Sequence, residues 1–332
     1  MRMQRISGKE AYQALKDNPA AYWCECQPQL SPSGEQAAAA RLAEDFPKLS
    51  LPVIPVSAAA DRLPTLYAVG SCFAREIESA LAGSWGVLSS IAPLFEASDG
   101  HGLARGHWTD FTNRYNPASL LRELARLTGD WPMEDADMIV GDDSAAIDLH
   151  FIAAGMASRR QLHHRRRLTF RNGQGLSRAD VVIVTIGLNE AWFDNYTGTY
   201  LNNAPPAWMA SSGRFEVHIL SCDDIVGQLT RTISLIRKVN ASTTIVVSVS
   251  PVPMLATFTG DDVICANARS KATLLSAARQ VCSSSNSVYF PSFELVTHAA
   301  PTLAWNADRR HPSTVMINHI AKAFVTAASR FR

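Results

Sequence analysis

Two candidate nucleophiles, Ser71 and Cys72, stand directly after Gly70 at the end of an apolar run that begins at residue 66. The apolar residues that follow recur at helical spacing: Phe73, Ile77, Ala80 and Leu81. The pattern predicts a strand, a tight turn and a helix. Free N–H groups and the helix dipole favour negative charge at a helix N-terminus, where a cysteine commonly has a lowered pKa. The turn could therefore carry a reactive thiolate; the alternative is a buried turn of small residues with an inert cysteine.

A candidate general base lies near the other end of the chain. Asp308 and His311 are three residues apart, just before a helical pattern whose N-cap would be Ser313. A carboxylate beside a histidine fixes its tautomer and stabilises the imidazolium that forms when the ring takes a proton. A lone D-x-x-H is more often a surface loop, but with a nucleophile at a strand end it predicts a catalytic set. Trp305, close by in sequence, is expected to pack against His311.

A candidate oxyanion donor follows a continuously apolar run at 181–186, which is typical of a strand buried on both faces. Gly187, Asn189 and Glu190 come directly after it. Open α/β sheets place their sites at the carboxyl ends of parallel strands. The Asn189 side chain could donate to a developing oxyanion there, or it could merely cap the next segment. Glu190 is expected to orient its loop or to support the site.

The elements that must position these residues alternate along the chain. Apolar runs predict strands at 66–69, 181–186, 244–249 and 288–290, and amphipathic runs predict helices at 73–82, 120–127, 225–236, 266–282 and 314–328. Such alternation is typical of a doubly wound, mostly parallel α/β sheet. Residues 1–60 are interpreted as an N-terminal extension and linker. Residues 61–332 are interpreted as one catalytic domain, because the three candidate site segments must converge.

Two further segments are ambiguous. Residues 192–208 are predicted to form a loop with many aromatic residues, which either pack the loop or, with Trp192, wall a sugar or acyl pocket. Residues 159–167 are the densest basic run. This run is either a solvated helix face or loop, or an electrostatic funnel for an anionic substrate such as an acyl-CoA phosphate or an acidic glycan.

Composition excludes several classes of protein. A formal net charge of +1 over 332 residues is no signature of nucleic-acid binding. No run of about 18 apolar residues predicts a membrane span, and the first residues lack an apolar signal core, so a cytoplasmic location is expected. Six cysteines are scattered without a disulfide framework, and no spacing predicts a metal site. The composition does not indicate an oligomeric state.

Several motifs, taken in order, resemble the GSCFA family, which is named for the sequence found here at 70–74 and is placed near the SGNH (GDSL-like) hydrolases. The resemblance extends over roughly residues 66–325, through the segments 114–117, 185–192, 250–253, 270–274, 289–291 and 308–313. It implies an SGNH-hydrolase-like doubly wound sandwich with a mostly parallel central sheet. It also places Asn116, in the segment 114–117, among the expected substrate-binding residues.

The SGNH pattern maps onto this chain at two of its blocks. The G-x-N-[DE] block falls on Gly187, Asn189 and Glu190, and the D-x-x-H block falls on Asp308 and His311. The first block departs from the pattern, because the wider group has G-D-S where this chain has Gly-Ser-Cys. Strict register makes Cys72 the nucleophile and puts Ser71 in the place of the acid. A shift of the turn by one residue would make Ser71 the nucleophile instead.

The expected reaction is covalent acyl transfer. Cys72 or Ser71 would attack an ester or thioester carbonyl of a small molecule or glycan, while His311, oriented by Asp308, moves the proton. Asn189 and the backbone N–H of Cys72 would hold the oxyanion. Release to water makes an esterase, and release to a sugar hydroxyl makes an O-acyltransferase; no cofactor is required, although acyl-CoA could be the donor. The expected substrate-binding residues are Gly70, Asn116, Gly187, Glu190, Trp192 and Trp305.

Two hypotheses compete with an enzyme. One is a glycan-binding module that keeps the fold without turnover. The other is a protein that binds a partner through the basic run 159–167. A retained set of Asp308, His311 and Asn189 weighs against a pure binding module, because binding alone has little need for all three side chains.

Overall fold

The computed structural model describes residues 45–58, 61–91, 109–131, 138–210 and 212–329, together with residues 13 and 17. In this part of the chain the strands are β1 (Thr65–Gly70), β2 (Gly86–Val87), β3 (Ile139–Gly141), β4 (Ala146–Asp148), β5 (Val181–Ile186), β6 (Glu190–Asp194), β7 (Thr199–Tyr200), β8 (Phe215–Ile219), β9 (Thr244–Val249) and β10 (Ser287–Tyr289). The α-helices are α1 (Cys72–Leu81), α2 (Thr109–Thr112), α3 (Pro117–Leu127), α4 (Arg159–Gly173), α5 (Ala207–Ala210), α6 (Cys222–Val239), α7 (Val263–Ser284), α8 (Ser292–Thr297), α9 (Pro301–Ala304) and α10 (Thr314–Ser329).

The central sheet has five strands in the order β10-β9-β5-β1-β2, and every neighbouring pair is parallel. All six residues of β5 are buried, because helices cover both faces of the sheet. On one face, α1 and α10 pack over Leu66, Ile183 and Val246. On the other, α3, α6 and α7 pack over Val182 and Ile245. The predicted α/β fold with a parallel, doubly wound sheet is confirmed.

The predicted aromatic loop is wrong in part, because its first residues are strands. β6 pairs antiparallel with both β7 and β8 in a second, three-stranded sheet. Phe193 lies opposite Tyr200 on β7 and Glu216 on β8. Short strands are stabilised by cross-strand partners more than by the pattern of their own residues. The sequence of residues 192–208 alone therefore did not indicate β6 and β7.

Part of the predicted N-terminal extension packs on the sheet domain. Ile54 is fully buried in the core beneath α10, and its N–H donates to the carbonyl of Ala327 at 3.1 Å. Residues 1–44 lie outside the described residues except for 13 and 17, so a domain boundary at residue 60 stays a prediction.

The register of the sheet brings the candidate residues to one edge. Gly70 on β1 lies opposite Thr185 on β5, which lies opposite Ser248 on β9. Beyond the strands, the Ser71 N–H donates to the carbonyl of Thr185 at 3.2 Å, and the Ser250 N–H donates to that of Ile186 at 2.8 Å. The segments that follow β1, β5 and β9 are therefore neighbours.

Candidate active site

The turn between β1 and α1 depends on Gly70. Its φ of +135° lies in a region that residues with a side chain rarely adopt. A Cβ on Gly70 would lie 1.9 Å from the carbonyl oxygen of Thr185, far inside van der Waals contact. Gly70 was expected to bind substrate, but the structure gives it a conformational role, since it lets the chain turn sharply against β5.

Replacing Gly70 with alanine is expected to lower the free energy of unfolding by about 3 kcal/mol, because the methyl group adds overlap to a strained backbone. Denaturant unfolding with urea measures this change. Gly83→Ala is the matched control, since a Cβ at Gly83 would meet nothing within 4 Å. Equal stability of the two variants would contradict this description of the turn.

Ser71 is held in the turn rather than presented to solvent. Only 2% of its surface is exposed, and its N–H also donates to Thr185 Oγ1 at 2.9 Å. The Ser71 hydroxyl oxygen lies 3.1 Å from the same Thr185 hydroxyl oxygen. Ser71 precedes α1 as its N-cap residue, but its side chain makes no capping hydrogen bond. These contacts fix the serine and engage its hydroxyl group.

Cys72 is the first residue of α1 and is partly exposed. The expected lowering of its pKa is wrong. Burial raises the pKa of the thiol, although Arg310, the Phe73 N–H and Lys271 each act to lower it. Loss of hydration therefore outweighs the favourable helix terminus. A protonated thiol needs a base before it can act as a nucleophile.

Alkylation gives a direct check on this protonation state. Because the pKa of the Cys72 thiol is raised, its rate of alkylation by iodoacetamide is expected to keep rising with pH beyond pH 9, where a thiolate of lowered pKa would have reached its plateau. Peptide mapping follows Cys72 separately from Cys265, which is exposed and serves as the reference for an accessible thiol. A plateau for Cys72 below neutral pH would refute the expectation.

His311 and Asp308 form the expected pair. The His311 Nδ1 lies 2.6 Å from Asp308 Oδ2, so the ring donates its Nδ1 proton to the carboxylate. The other oxygen, Oδ1, accepts the N–H groups of Arg310 and His311, each at 3.0 Å. The bond from His311 and these two backbone donors hold the pKa of Asp308 well below its usual range. This tautomer leaves the lone pair of His311 on Nε2, as a general base requires.

The loop that carries the pair is fixed at both ends. Ser313 is the N-cap of α10, as predicted, because its hydroxyl oxygen accepts the Met316 N–H at 3.1 Å. The Asn306 N–H donates to the carbonyl of His311 at 2.9 Å. Trp305 forms a backbone bridge with Pro312 and packs against the core under α10. It is not among the described residues that line the cavity next to His311.

A cavity of about 430 Å³ opens between these segments at the carboxyl edge of the sheet. Cys72 and His311 both line it, and so does the surface of Ser71. Predicted substrate-binding residues that also line it are Asn116, Gly187, Glu190 and Trp192. The structure therefore brings the candidate nucleophiles, the histidine and most of the expected binding residues to one cavity.

Asn189 is not among the described residues that line this cavity. It is buried, its Nδ2 donates to the carbonyl of Leu220 at 3.3 Å, and its N–H donates to Ser270 Oγ at 3.0 Å. Asn116 lines the cavity but is itself engaged, because it caps α3 through the Ser119 N–H and donates to the carbonyl of Leu201. The Asn189 side chain therefore joins the end of β5 to Leu220, 31 positions along the chain, rather than capping the segment that directly follows it.

Glu190 fixes a wall of the cavity. Its carboxylate accepts the Thr257 hydroxyl at 2.5 Å and the Phe258 N–H at 3.0 Å, so it holds the loop that follows β9. The ring of Phe258 packs edge-on against Trp192, with centroids 5.0 Å apart. Glu190 thus orients a loop, as expected, but the loop comes from a distant part of the chain.

Lys271 fixes the floor beneath the cavity. Its Nζ donates to the carbonyls of Gly187, Ser250 and Val252, each at 2.8 Å, and so joins the segments after β5 and β9. Only 2% of Lys271 is exposed, and burial lowers its pKa to about 7. Sequence reasoning assigned it no role, because a lysine on a helix is usually solvated.

The sequence motifs did not indicate a site role for Arg310, although it is adjacent to His311 in the chain. Its guanidinium lines the cavity, where Nε donates to the carbonyl of Pro253 at 3.1 Å and one Nη lies 3.1 Å from His311 Nε2. Because Nδ1 of His311 carries the proton given to Asp308, Nε2 is the acceptor from Arg310. The lone pair of His311 Nε2 is therefore occupied in this structure.

The basic run 159–167 lies within α4 and is less solvated than expected. Arg166 is 1% exposed and pairs with Asp148 through two hydrogen bonds of 2.6 and 2.9 Å. Arg165 is buried as well, with its guanidinium over the ring of Phe111. These two arginines serve packing and ion pairing rather than a solvent-facing funnel.

Other candidate sites in the described chain lack comparable chemistry. A larger cleft of about 840 Å³ lies between residues 45–51 and α10, where Phe46 stacks on His319 at 3.9 Å. Its lining residues include no cysteine or serine. Among the described residues, no group of three or more His, Cys, Asp or Glu side chains could hold a metal ion, and no helix is both long and apolar enough to cross a membrane.

Fold and site together define an α/β protein whose parallel sheet carries the Ser71–Cys72 turn and a His–Asp pair at one edge. The model of the GSCFA family matches residues 65–324, so the chain belongs to the GSCFA family, as its motifs indicated.

Two solved structures are similar to this chain at low identity. LAE5, an α/β hydrolase enzyme from the metagenome of Lake Arreo in Spain, is 14% identical; the match covers 83% of this chain and 98% of LAE5, with a TM-score of 0.34. A mutant of Axe2, an acetyl-xylooligosaccharide esterase from Geobacillus, is 13% identical over 80% of this chain and 93% of its own, with a TM-score of 0.32. A search of curated proteins gives no match.

Proposed function

We propose that this protein is an enzyme of covalent acyl transfer with Cys72 as its nucleophile, acting on an ester or thioester of a small molecule or glycan. The observation that carries the proposal is that Cys72 and the His311–Asp308 pair open onto one cavity at the carboxyl edge of the sheet. Ser71 is the weaker candidate, because its hydroxyl group is buried and engaged by Thr185.

The first half of the reaction forms the acyl-enzyme. His311 Nε2 takes the proton from the Cys72 thiol, and the sulfur forms a bond to the substrate carbonyl carbon, whose oxygen becomes an oxyanion. As the tetrahedral intermediate collapses, the bond to the leaving group breaks, and His311 returns the proton to the departing alcohol or thiol. Asp308 stays ionised and stabilises the imidazolium between these two transfers.

The oxyanion is assigned to the first turn of α1. The first N–H groups of a helix have no partner within the helix, and they point along its axis toward bound negative charge. The backbone N–H of Cys72 is the donor proposed here, as expected from the sequence. Asn189 is not assigned this role, because its side chain is bonded to the carbonyl of Leu220.

The second half of the reaction decides between hydrolase and transferase. Water or a hydroxyl group gives its proton to His311 and attacks the thioester, which releases the acid or the new ester and restores the Cys72 thiol. A thiol exchanges readily with thioesters, which favours an acyl-CoA as donor and a sugar hydroxyl as acceptor. Activated oxygen esters would serve the same cysteine. No step requires a cofactor beyond the acyl donor.

Burst kinetics test the proposal. With 4-nitrophenyl acetate, rapid mixing is expected to release one equivalent of nitrophenol per enzyme before a slower steady rate, because acylation precedes discharge. A second series adds methyl glucoside: a faster steady rate with formation of acetylated sugar identifies a transferase, and an unchanged rate identifies an esterase. Release of nitrophenol no faster than in buffer, together with no consumption of acetyl-CoA, would leave the glycan-binding module as the better account.

A further inference from the structure

The cavity presents a cation that has no carboxylate partner. Among the described residues, Arg310 forms hydrogen bonds with the carbonyl of Pro253, with His311 Nε2 and, through its backbone, with Asp308, but it forms no ion pair. Its second Nη has no bond within the described chain. A partly buried guanidinium with unused donors is typical of a site for a carboxylate or phosphate, which it can bind through two parallel bonds.

The carboxylates next to the cavity are engaged by partners other than this guanidinium. Among the described residues, Glu190 is the acid that lines the cavity, and its two oxygens accept the Thr257 hydroxyl and the Phe258 N–H. The Asp308 carboxylate accepts the ring N–H of His311 and two backbone N–H groups. Cys72, Tyr115, Arg310 and His311 are the other ionisable side chains that line the cavity in the described chain. The Arg310 guanidinium is therefore left without a carboxylate and is available to an anionic ligand.

The contact between Arg310 and His311 links anion binding by Arg310 to the availability of His311 as a base. While the guanidinium donates to Nε2, that lone pair cannot accept the proton of Cys72. An anion that draws the guanidinium to itself would free Nε2 to accept that proton.

Building on the proposed function, we propose that the cavity takes acyl substrates bearing an anionic group close to the scissile carbonyl, and that Arg310 binds this group and thereby releases His311 for catalysis. The apolar part of the wall, formed by Leu188, Val252, Met254 and Phe258, accepts the carbon chain between the two groups. Half-esters of short dicarboxylic acids are the simplest substrates of this class.

Matched pairs of esters test the proposal and locate the anion. The first pair is 4-nitrophenyl hydrogen succinate and its neutral methyl ester, with the charge on the acyl side. The second pair is 4-carboxyphenyl acetate and its methyl ester, with the charge on the leaving group. In at least one pair, kcat/KM is expected to favour the anionic member by about 10- to 100-fold, the value of a charged hydrogen bond. Equal rates within both pairs would overturn the proposal.

Variants of Arg310 and Arg309 distinguish a role of Arg310 in anion binding from a role in the fold of its loop. Arg310→Met is expected to abolish the preference, because the anionic ester loses the guanidinium that binds it and is then turned over no faster than the neutral ester. Arg309→Asn is the control: Arg309 is exposed, and asparagine tolerates its φ of 56°. A parallel loss on both esters in Arg310→Met would mean that Arg310 only supports the fold of the loop, and would overturn the proposal.

Binding without turnover distinguishes this inference from the proposed reaction. Calorimetry is expected to show that succinate binds to the wild-type protein and to Cys72→Ala, and at least 10-fold more weakly to Arg310→Met. If succinate binds in this way but no ester acylates the protein, the anion site is supported and the proposed reaction is contradicted. If an ester acylates Cys72, but succinate does not bind and the charge of the ester does not change kcat/KM, the reaction is supported and the anion site is contradicted.

Discussion

Cys72→Ala is expected to lower kcat/KM for an activated ester by about 10³-fold or more, whereas Ser71→Ala is expected to retain most of the activity. Removal of the nucleophile leaves only binding and oxyanion stabilisation, which act without covalent chemistry. The Ser71 hydroxyl is buried against Thr185, so its loss alters the packing of the turn more than the chemistry.

Steady-state hydrolysis of 4-nitrophenyl acetate by both variants measures this difference, and circular dichroism confirms that each is folded. Cys265→Ala, a change at an exposed cysteine on α7, controls for nonspecific effects of removing a thiol. The opposite pattern, with Ser71→Ala inactive and Cys72→Ala active, would transfer the nucleophile to the serine.

His311→Ala is expected to reduce kcat by about 10³-fold or more, and Asp308→Asn by about 10²- to 10⁴-fold, with little change in stability. Both side chains are close to half exposed, so their removal leaves no buried charge behind. The loss in Asp308→Asn follows from the tautomer, because an amide can donate to Nδ1 and would then move the ring proton to Nε2.

The pH dependence of acylation by His311→Ala distinguishes a general base from a residue with a purely structural role. Because thiolate forms without a base at high pH, His311→Ala is expected to regain part of its acylation rate as the pH rises. His319→Ala, which alters a histidine in the larger cleft, serves as the control. Full activity of His311→Ala at neutral pH would exclude His311 as the base.

The sequence predicted the central elements well because they are dominated by local patterns. The strands at 181–186 and 244–249 have the predicted bounds, and α1 begins one residue before the predicted start at 73. Each of these strands is a mostly apolar run, buried between two layers of helices. Such runs predict a buried strand from local sequence alone, without knowledge of the contacts that the strand makes in the fold.

The direction of individual side chains could not be predicted in the same way. Asn189 stands at the expected strand end, but the carbonyl that captures it belongs to Leu220, 31 positions away. The raised pKa of Cys72 likewise results from burial, and the motif at residues 70–74 does not indicate how deeply the thiol is buried. Arg310 and Lys271 acquire their importance from carbonyls after β5 and β9 that the fold brings to them.

The most direct test of the account is the intact mass of the protein after mixing with 4-nitrophenyl acetate and, separately, with acetyl-CoA, followed by peptide mapping of any adduct. We expect one acetyl group on Cys72, absent in Cys72→Ala and present in Ser71→Ala. An acetyl group mapped to Ser71, or a wild-type protein that stays unmodified by both donors while remaining folded, would contradict it.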